Sequence, residues 1–411
     1  MSIRATQTKD SYINICVTCG RGLKPFVQME LLHYKVNLED DISAEGKVFA
    51  TAKRSLLKDL LSLHLVERVF LVAYAKGTQE NLPSTLTESN LLVLLEEQLP
   101  QVEWVLKLWK QEFYDDENKT QPRKRRHSSL SSDKVHNEKA NDDEMSDIRV
   151  RASIKLTGGW RSRLDEDKLR KLITSLFSST VKGYRIVDDE ANVTFNIICS
   201  DELVMLAVLL TPIPLSIRKY VNSFGLRSTV CAAMVLLASI QPGEIVLDPL
   251  CGVGALLLEA ANICPHAFYV GMDIDQSQIN KAMLNVEHYQ EIAANTSIQL
   301  VRGDAQGIPL VHGTIDVILT DLPFGQKHRV PSSLSALYEQ SCVEFNRLLS
   351  KQGRAVILTG KSMLSSLKAA CSKARLFISS EHFVTLGRTE AYILHVHKCG
   401  KYELSSHLST D

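Results

Sequence analysis

Residues 321 to 325, with the sequence Asp-Leu-Pro-Phe-Gly, follow an apolar run that is typical of a buried strand. The Asp321 carboxylate can accept a hydrogen bond from a ligand at the end of this strand. Pro323 makes the turn rigid, Phe324 offers an aromatic face, and Gly325 lets the backbone pass close to a ligand. An ordinary turn at the end of the strand is the alternative, although such a turn needs no aromatic residue. Asp321, Pro323 and Phe324 are therefore candidate functional residues.

A second candidate set lies in the run Asp-Pro-Leu-Cys-Gly-Val-Gly at residues 248 to 254, between a predicted strand and a predicted helix. In a sheet of the α/β class, ligands bind at the carboxyl ends of the strands. A glycine turn there lets a ligand approach the backbone N–H groups at the start of the next helix. Gly252 and Gly254 are placed for that role. The alternative is a tight packing turn, because Gly-x-Gly without a third glycine at the dinucleotide spacing is a weak signal.

Two further aspartates, Asp273 and Asp304, end the predicted second and third strands of the same region. A carboxylate in the first position can accept hydrogen bonds from both hydroxyls of a ribose, and an acid in the second position can accept one from an adenine amino group. Either residue alone could instead be a helix cap or a turn former. With Asp248, they place acids at three successive strand ends, which favours a site for a cofactor that contains adenosine.

Together these motifs resemble those of the Rossmann-like, S-adenosylmethionine-dependent methyltransferases. The resemblance implies that residues 248–254 wrap the methionine half of S-adenosylmethionine, and that Asp273 and Asp304 bind its ribose and its adenine. In the loop it assigns cofactor binding to Asp248, Pro249, Cys251, Gly252 and Gly254. Cys251 is expected to be a small packing residue rather than a nucleophile. An NAD-linked oxidoreductase is the alternative and would also use Asp273, but it would have to do without a recognisable hydride-transfer residue.

The run Gly-Leu-Arg-Ser-Thr at residues 225–229 extends the resemblance to RNA methyltransferases that carry a THUMP domain, a small RNA-binding module. In that family a similar segment leads from the RNA-binding module into the catalytic fold, and residues 321–325 match the branch that methylates guanine N2. The resemblance implies that the helix of this segment covers the cofactor site, with Arg227 among the cofactor-binding residues. Arg227 could instead pair with a surface acid.

The reaction that the resemblance implies is methyl transfer to the exocyclic N2 of a guanosine, in U6 small nuclear RNA or in tRNA. The resemblance makes Asp321, Pro323 and Phe324 the catalytic residues. An amine on a purine ring is a poor nucleophile until an acceptor, here Asp321, holds its protons and fixes its direction. The base would be extruded or already unpaired and would lie on the ring of Phe324. A catalytically silent RNA-binding scaffold is an alternative of a different class.

The elements that hold these motifs indicate an α/β domain from Gly243 onward, where continuous apolar strands alternate with helices. This pattern is typical of a parallel, doubly wound sheet covered on both faces, here that of a Rossmann-like methyltransferase. The preceding region has a smaller α+β pattern, with a helix predicted between the strand-like runs at 46–52 and 68–75, and the resemblance implies that this region is of THUMP type. The predicted domains are residues 10–112 and 149–215 for the two parts of the THUMP-type region, 113–148 for a disordered charged insertion, and 216–401 for the methyltransferase domain.

Residues 149–185 contain ten Lys or Arg against three acids, in a chain whose 47 basic and 47 acidic residues leave no formal net charge. Such a local patch with interleaved aromatic residues suits an RNA backbone. A basic solvated face is the alternative. The predicted RNA-contacting residues are Arg149, Arg151, Lys155, Trp160, Arg161 and Arg163.

Composition predicts a soluble protein of the cytosol or nucleus. The nine cysteines are scattered and mostly lie in apolar runs, as reduced intracellular thiols do. Cys16 and Cys19 form one C-x-x-C without a second pair, so no metal site is predicted. The first ten residues lack the apolar core of a signal peptide, and no apolar run is long enough to span a bilayer. The basic run at 123–126 is either a nuclear-import or RNA-contact patch or part of a solvated linker, and we expect a nuclear location.

A protein partner is also implied by the resemblance. The strand at 297–302 should lie at the edge of the sheet if the strand order is that of Rossmann-like methyltransferases, and its Ile298, Leu300 and Val301 would then leave apolar surface exposed. In similar methyltransferases a small zinc-binding activator subunit adds a strand at this edge. Cover by the charged insertion or by the C-terminal tail is the alternative.

Overall fold

The structure is a computed structural model that describes residues 2–4, 12–77, 88–115, 148–181, 183–223, 225–293, 296–324 and 334–398. The chain divides into two compact units. The first unit comprises residues 1–17, 31–61 and 68–212, and the second comprises residues 18–30, 62–67 and 213–411.

The described residues form sixteen strands and eight α-helices. The strands are β1 (Ser2–Arg4), β2 (Tyr12–Thr18), β3 (Asn37–Ala44), β4 (Lys47–Lys53), β5 (Arg68–Gly77), β6 (Ile148–Leu156), β7 (Tyr184–Ile186), β8 (Val193–Cys199), β9 (Leu203–Leu209), β10 (Ile245–Asp248), β11 (Phe268–Asp273), β12 (Ser297–Arg302), β13 (Ile315–Asp321), β14 (Leu349–Gly360), β15 (Leu376–Leu386) and β16 (Thr389–Lys398). The helices are α1 (Lys24–His33), α2 (Glu88–Trp109), α3 (Glu166–Thr180), α4 (Ser228–Ala238), α5 (Ala255–Ile263), α6 (Gln276–Ile292), α7 (Leu334–Leu348) and α8 (Leu364–Lys373).

The first unit is an α+β structure built on a mixed sheet with the strand order β3-β4-β2-β5-β9-β8-β6-β7, in which β1 also pairs with β5. The central strands β5 and β9 are antiparallel neighbours, and most of their side chains are buried. Helix α2 packs on both strands and α3 packs on β6. Asp165 caps α3, because its carboxylate accepts hydrogen bonds from the N–H groups of Asp167 and Lys168.

The second unit contains a seven-stranded sheet with the order β12-β11-β10-β13-β14-β16-β15. Consecutive residues in its middle strands, such as Val246 and Leu247 or Val317 and Ile318, are all buried, so helices cover both faces of the sheet. Helix α4 packs on β13 and β14, α6 packs on β11 and β12, and α8 packs on β14 and β15. This arrangement confirms the predicted Rossmann-like α/β fold.

The prediction of a purely parallel sheet is wrong at one end. Strands β12, β11, β10, β13 and β14 are parallel, but β16 is antiparallel to both β14 and β15. The reason is the short connection after Leu386, where Gly387 adopts a positive φ of 64° and Thr389 already starts β16. Such a loop can join only antiparallel neighbours, because a parallel crossover needs about a dozen residues.

Strand β12 lies at the edge of this sheet among the described residues, as predicted. Its side chains differ from the prediction in one respect. Val301 is 43% exposed and Leu300 is half-buried, but Ile298 is only 6% exposed. Ile298 is buried because side chains alternate along a strand and α6 packs on this one. The sheet edge therefore exposes less apolar surface than predicted, because Ile298 does not contribute to it.

The observed division of the chain differs from the predicted domains in the N-terminal half. The break between Pro212 and Ile213 lies close to the predicted boundary at 215/216, whereas residues 18–30 and 62–67 group with the second unit. Most of the predicted insertion, residues 116–147 with the basic run at 123–126, lies outside the described residues. Residues 113–115 belong to the end of a helical turn that continues α2, and residue 148 begins β6.

Two local predictions also differ from the structure. In place of the helix expected between residues 52 and 68, the chain forms two short 3-10 turns, Arg54–Leu56 and Asp59–Ser62. Helix α2 was not among the predicted elements. No described helix is long and apolar enough to cross a membrane.

Candidate active site

Four aspartates line the carboxyl edge of the parallel strands in the second unit. Asp248 ends β10, Asp273 ends β11 and Asp321 ends β13, while Asp304 follows β12 by two residues. Because these strands are parallel neighbours in the order β12-β11-β10-β13, their ends meet at one edge of the sheet. The alternation of strands and helices therefore brings together the acids that the sequence singled out.

The loop after β10 turns sharply and leaves space in front of a glycine. Gly252 and Gly254 have positive φ values of 52° and 80°, which a residue with a side chain rarely adopts. The N–H of Gly254 donates to the carbonyl of Cys251 over 2.8 Å, which closes the turn before α5. A Cβ placed on Gly252 would have no atom within 4 Å. The open space at Gly252 fits the close approach of a ligand.

Asp273 holds this loop in place. Its Oδ2 accepts a hydrogen bond from the Gly252 N–H at 3.0 Å, and its Oδ1 accepts one from the Asp275 N–H at 2.9 Å. Each oxygen can still accept a second hydrogen bond, so the carboxylate can also receive the two hydroxyls of a ribose. Asp304 is exposed, and its Oδ1 accepts from the N–H of Gln306 at 2.9 Å. It is thus a turn former that leaves its second oxygen toward solvent.

Asp248 supports the loop from below. Its side chain is 2% exposed, and its Oδ1 accepts from the Leu250 N–H at 3.2 Å. Burial raises the pKa of the Asp248 carboxyl well above its usual range, and the charges of Asp321 and Asp273 act in the same direction. Pro249 beside it is buried as well. These two residues shape the loop rather than present a polar group to a ligand.

Cys251 is buried, with 6% of its surface exposed. Burial, followed by the charges of Asp248 and Asp273, raises the pKa of its thiol. A neutral buried thiol is a poor nucleophile. This environment agrees with the expected packing role.

The residues after β13 are held by β14 and α7. The N–H of Leu322 donates to the Leu358 carbonyl at 3.0 Å, which extends the pairing of β13 and β14 past Asp321. The Tyr338 hydroxyl donates to the Pro323 carbonyl at 3.2 Å. Phe324 is half-buried and lies against Gly360, where a Cβ would be 2.9 Å from its Cγ. Asp321 and Phe324 therefore have fixed positions, while Gly325 lies outside the described residues.

Arg227 immediately precedes α4, and its guanidinium forms an ion pair with Glu67 at 3.2 Å. Pairing with an acid is the alternative role that the sequence left open for Arg227. The same turn does border the cofactor loop, because a Cβ on Gly225 would lie 2.8 Å from Cγ2 of Val253.

Sequence reasoning missed two residues that organise this site, Tyr338 on α7 and Asn285 on α6. Asn285 is fully buried and its side-chain amide contacts both the turn at 222–223 and the carbonyl of Val253. The available signal was a polar residue on the buried face of a helix, three positions after Ala282 and four before Tyr289, both of which are buried.

The predicted RNA-contacting residues lie in the first unit and differ in exposure. Lys155, Arg161 and Arg163 are exposed. Arg149 pairs with Glu190 at 2.9 Å and Arg151 with Asp189 at 3.6 Å. Those acids follow the counted stretch of residues 149–185, so the local positive charge is smaller than the sequence count.

Trp160 is a correction to this set. Its ring is only 8% exposed and its Nε1–H donates to the Ser200 carbonyl at 3.1 Å. A ring that is buried and hydrogen-bonded in this way has no free face for a base. Beside it, Lys155, Arg161 and Glu166 line a surface depression of about 390 Å³. Among the described residues no group of His, Cys, Asp or Glu side chains could hold a metal ion.

Comparison with known proteins finds a family model that matches most of the second unit. Residues 216–391 match the UPF0020 family, described as an RMKL-like methyltransferase domain. The chain is 30% identical over 221 residues to the U6 snRNA (guanine-N(2))-methyltransferase THUMPD2 of Bos taurus, which covers 54% of this chain and 42% of that protein. It is 30% identical over 171 residues to the tRNA (guanine(6)-N(2))-methyltransferase THUMP3 of Bos taurus, which covers 39% of this chain and 34% of that protein. The chain thus spans less than half the length of these relatives.

Solved structures extend the likeness to nearly the whole chain. TrmN from Thermus thermophilus matches with a TM-score of 0.65 and 20% identity, over 94% of this chain and 100% of that one. SMU.472, a putative methyltransferase complexed with SAH, matches with a TM-score of 0.64 and 14% identity, over 95% and 99%. At these identities the likeness shows the fold alone. The family match supports the resemblance to methyltransferases over residues 216–391, and the solved structures support the predicted Rossmann-like fold.

Proposed function

We propose that the protein is an S-adenosylmethionine-dependent RNA methyltransferase that acts on the exocyclic N2 of a guanosine. The observation that carries the proposal is the position of Asp321, Pro323 and Phe324. Asp321 ends β13 and the other two residues follow it, and β13 is the direct neighbour of β10 and its glycine loop. An acceptor and an aromatic ring thus stand beside a cofactor loop, in a domain whose relatives are named as guanine-N2 methyltransferases of RNA.

The chain's own residues fit S-adenosylmethionine, which supplies an electrophilic methyl group when bound. Gly252 leaves room for the methionine half, Asp273 retains acceptor capacity for ribose hydroxyls, and Asp304 has an oxygen free for the adenine amino group. Asp248, Pro249, Cys251 and Gly254 give the loop its shape. For Arg227 a direct role is disfavoured by its ion pair with Glu67.

In this proposal Asp321 accepts a hydrogen bond from the N2 amine and directs its lone pair at the methyl group. Phe324 offers one face to the base, because its other side lies against Gly360. The exposed cations Lys155, Arg161 and Arg163 bind the RNA backbone. Arg149 and Arg151 also bind it when their ion pairs with Glu190 and Asp189 open.

The RNA is proposed to be U6 small nuclear RNA, with tRNA as the second candidate. The match to the U6-modifying relative covers more of the chain than the match to the tRNA-modifying relative, 54% against 39%. A substrate of that class would place the protein in the nucleus.

A small zinc-binding activator subunit is proposed as a partner at β12. The strand lies at the sheet edge and exposes Val301, and its half-buried Leu300 lies close by. Addition of a strand there would pair the free backbone groups of β12, in an interface of about 1,200 to 2,000 Å².

The function is tested by methyl transfer from labelled S-adenosylmethionine to transcripts of U6 small nuclear RNA and of tRNA, with the protein alone and co-expressed with the activator. Mass analysis of the nucleosides should show N2-methylguanosine. Transcripts with inosine in place of guanosine lack the 2-amino group and should accept no methyl. Methylation of the inosine transcripts would move the reaction to another atom. Binding of RNA without binding of S-adenosylmethionine would favour the silent scaffold, and binding of NAD would favour the oxidoreductase.

A further inference from the structure

We infer that Asn285 is a positioning residue that couples the glycine loop to the turn that leads into α4, and that it thereby sets the affinity for the cofactor. The inference rests on the proposed function for the identity of that cofactor. Asn285 lies on α6, outside the loop and outside the turn, and its side chain has no exposed surface.

The side-chain amide of Asn285 makes four hydrogen bonds. Its Oδ1 accepts from the N–H groups of Asn222 and Ser223 at 3.0 and 2.9 Å, and its Nδ2 donates to the carbonyls of Ser223 and Val253 at 3.2 and 2.9 Å. A primary amide has two donor hydrogens and two acceptor lone pairs. The side-chain amide of Asn285 therefore uses all of its donors and acceptors. Only one orientation of the amide places its oxygen against the two N–H groups and its nitrogen against the two carbonyls.

The Val253 carbonyl is the point at which this network reaches the proposed cofactor site. Val253 stands between Gly252 and Gly254, and fixing its carbonyl also fixes the peptide plane that carries the Gly254 N–H. Gly252 and Gly254 have more backbone freedom than other residues would have, so the loop needs an external restraint. The close approach of Gly225 to Val253 and Ala255 shows that turn and loop are also in direct contact.

The same amide orders residues 222–223, which precede Arg227 and the start of α4. A cofactor that binds the loop in the conformation described above would therefore bind more tightly when the turn at 222–223 is also ordered. Both effects depend on one side chain, so replacing it should loosen two segments that are far apart in sequence.

The test uses Asn285→Asp in the full-length chain, with Asn280→Asp as the matched control on the same helix. Asn280 is exposed and bonds only to Gln276 within α6 in the contacts of the described structure. In Asn285→Asp one carboxylate oxygen still accepts from the two N–H groups. The other oxygen replaces the donor Nδ2 and is repelled by the two carbonyls. We expect the affinity for S-adenosylhomocysteine at pH 8 to fall by about tenfold or more. It should recover in part at pH 6, where a protonated carboxyl can donate one hydrogen bond.

Hydrogen exchange of the cofactor-free protein gives a second readout. In Asn285→Asp the amides of residues 252–255 should lose protection while those of 222 and 223 keep it, and in Asn285→Ser both segments should lose it. The Asn280 variant should match the wild type. Unchanged exchange at 252–255 in both Asn285 variants would overturn the inference. If the wild type fails to bind S-adenosylmethionine or S-adenosylhomocysteine, the proposed function fails, and the exchange comparison still decides whether Asn285 couples the two segments.

Discussion

Tyr338 and Pro323 are joined by a hydrogen bond of 3.2 Å from the tyrosine hydroxyl to the proline carbonyl. The Tyr338 side chain is fully buried, and its hydroxyl also lies 2.9 Å from Oγ1 of Thr359. A carbonyl can only accept, so the single tyrosine proton goes to Pro323 and the Thr359 hydroxyl donates to Tyr338. Helix α7 and strand β14 thus hold the turn after Asp321 from two sides.

Tyr338→Phe removes this hydroxyl with almost no change in volume. We expect methyl transfer to fall by roughly tenfold, because the turn loses one restraint and the acceptor is less well placed, while the affinity for S-adenosylmethionine stays the same. Tyr269→Phe is the matched control, since Tyr269 is a buried tyrosine of β11 whose hydroxyl bonds to the Ala260 carbonyl away from the site. Equal loss of turnover in both variants would indicate a general effect on packing.

Asp321→Ala removes the proposed acceptor itself. The expected result is a loss of roughly 10²-fold or more in methyl transfer, with cofactor affinity nearly intact. Calorimetry and a transfer assay on one preparation measure both quantities. Asp316→Ala, at the other end of β13, controls for the loss of a carboxylate from this strand, because Asp316 accepts the Ile245 N–H and lies away from the site. Normal turnover of the Asp321 variant would exclude it from the mechanism.

Asp273→Ala should act on the cofactor instead. We expect a loss of about 2 to 3 kcal/mol in S-adenosylmethionine binding, since two charge-assisted hydrogen bonds to the ribose disappear and Gly252 loses its tether. Asp275→Ala is the control, because it removes a carboxylate that caps α6 two residues further on. Titration with NAD belongs to the same experiment, and measurable NAD affinity without affinity for S-adenosylmethionine would contradict the assignment.

The site could be predicted from the sequence to the extent that it depends on strand ends. Asp248, Asp273, Asp304 and Asp321 each follow an apolar run, and parallel strands bring such residues to one edge whatever their separation along the chain. Asn285 acts through backbone groups more than thirty residues away in sequence, and no local pattern records such a contact. The same limit explains Trp160 in the first unit. Its position in a basic stretch predicted exposure, although its indole donates a hydrogen bond to the Ser200 carbonyl forty residues away.

The environment of Asp248 predicts a dependence of stability on pH. The folded chain raises the pKa of this carboxyl, so it binds the proton more tightly than the unfolded chain does. The free energy of unfolding therefore falls as the pH rises from the unfolded pKa, about 4, through the folded value. Asp248→Asn carries no charge to bury, and its thermal midpoint should exceed that of the wild type by more at pH 8 than at pH 5, by roughly 2 to 4 °C per kcal/mol. Asp304→Asn is the control, because it makes the same exchange at an exposed position. A constant difference between Asp248→Asn and the wild type across this range would contradict the prediction.

The second unit also contains a buried charge that depends on N-terminal residues. Glu259 is 1% exposed, and its carboxylate accepts hydrogen bonds from Arg218 at 2.6 Å and from Tyr220 at 2.6 Å. Burial alone would raise the pKa of Glu259, but hydrogen bonds from His64, Arg218 and Tyr220 lower it, so the carboxylate stays charged. The Arg218 guanidinium in turn donates to the His64 carbonyl at 2.7 Å, and Glu30 accepts from the His64 N–H at 2.7 Å.

A fragment cut at the predicted boundary, residues 216–401, should therefore be unstable, although it contains every candidate catalytic and cofactor-binding residue. It lacks His64 and Glu30, so Arg218 loses the His64 carbonyl as one of its acceptors and Glu259 loses the His64 imidazole as one of its donors, at about 1.5 to 3 kcal/mol for each hydrogen bond to a charged group. We expect a thermal midpoint well below that of the full chain and no binding of S-adenosylmethionine. His64→Ala in the full chain is the milder control, because it removes the imidazole but keeps the backbone carbonyl for Arg218, and it should lie between the two. A fragment as stable as the full chain and able to bind the cofactor would show that residues 18–30 and 62–67 are dispensable for this unit.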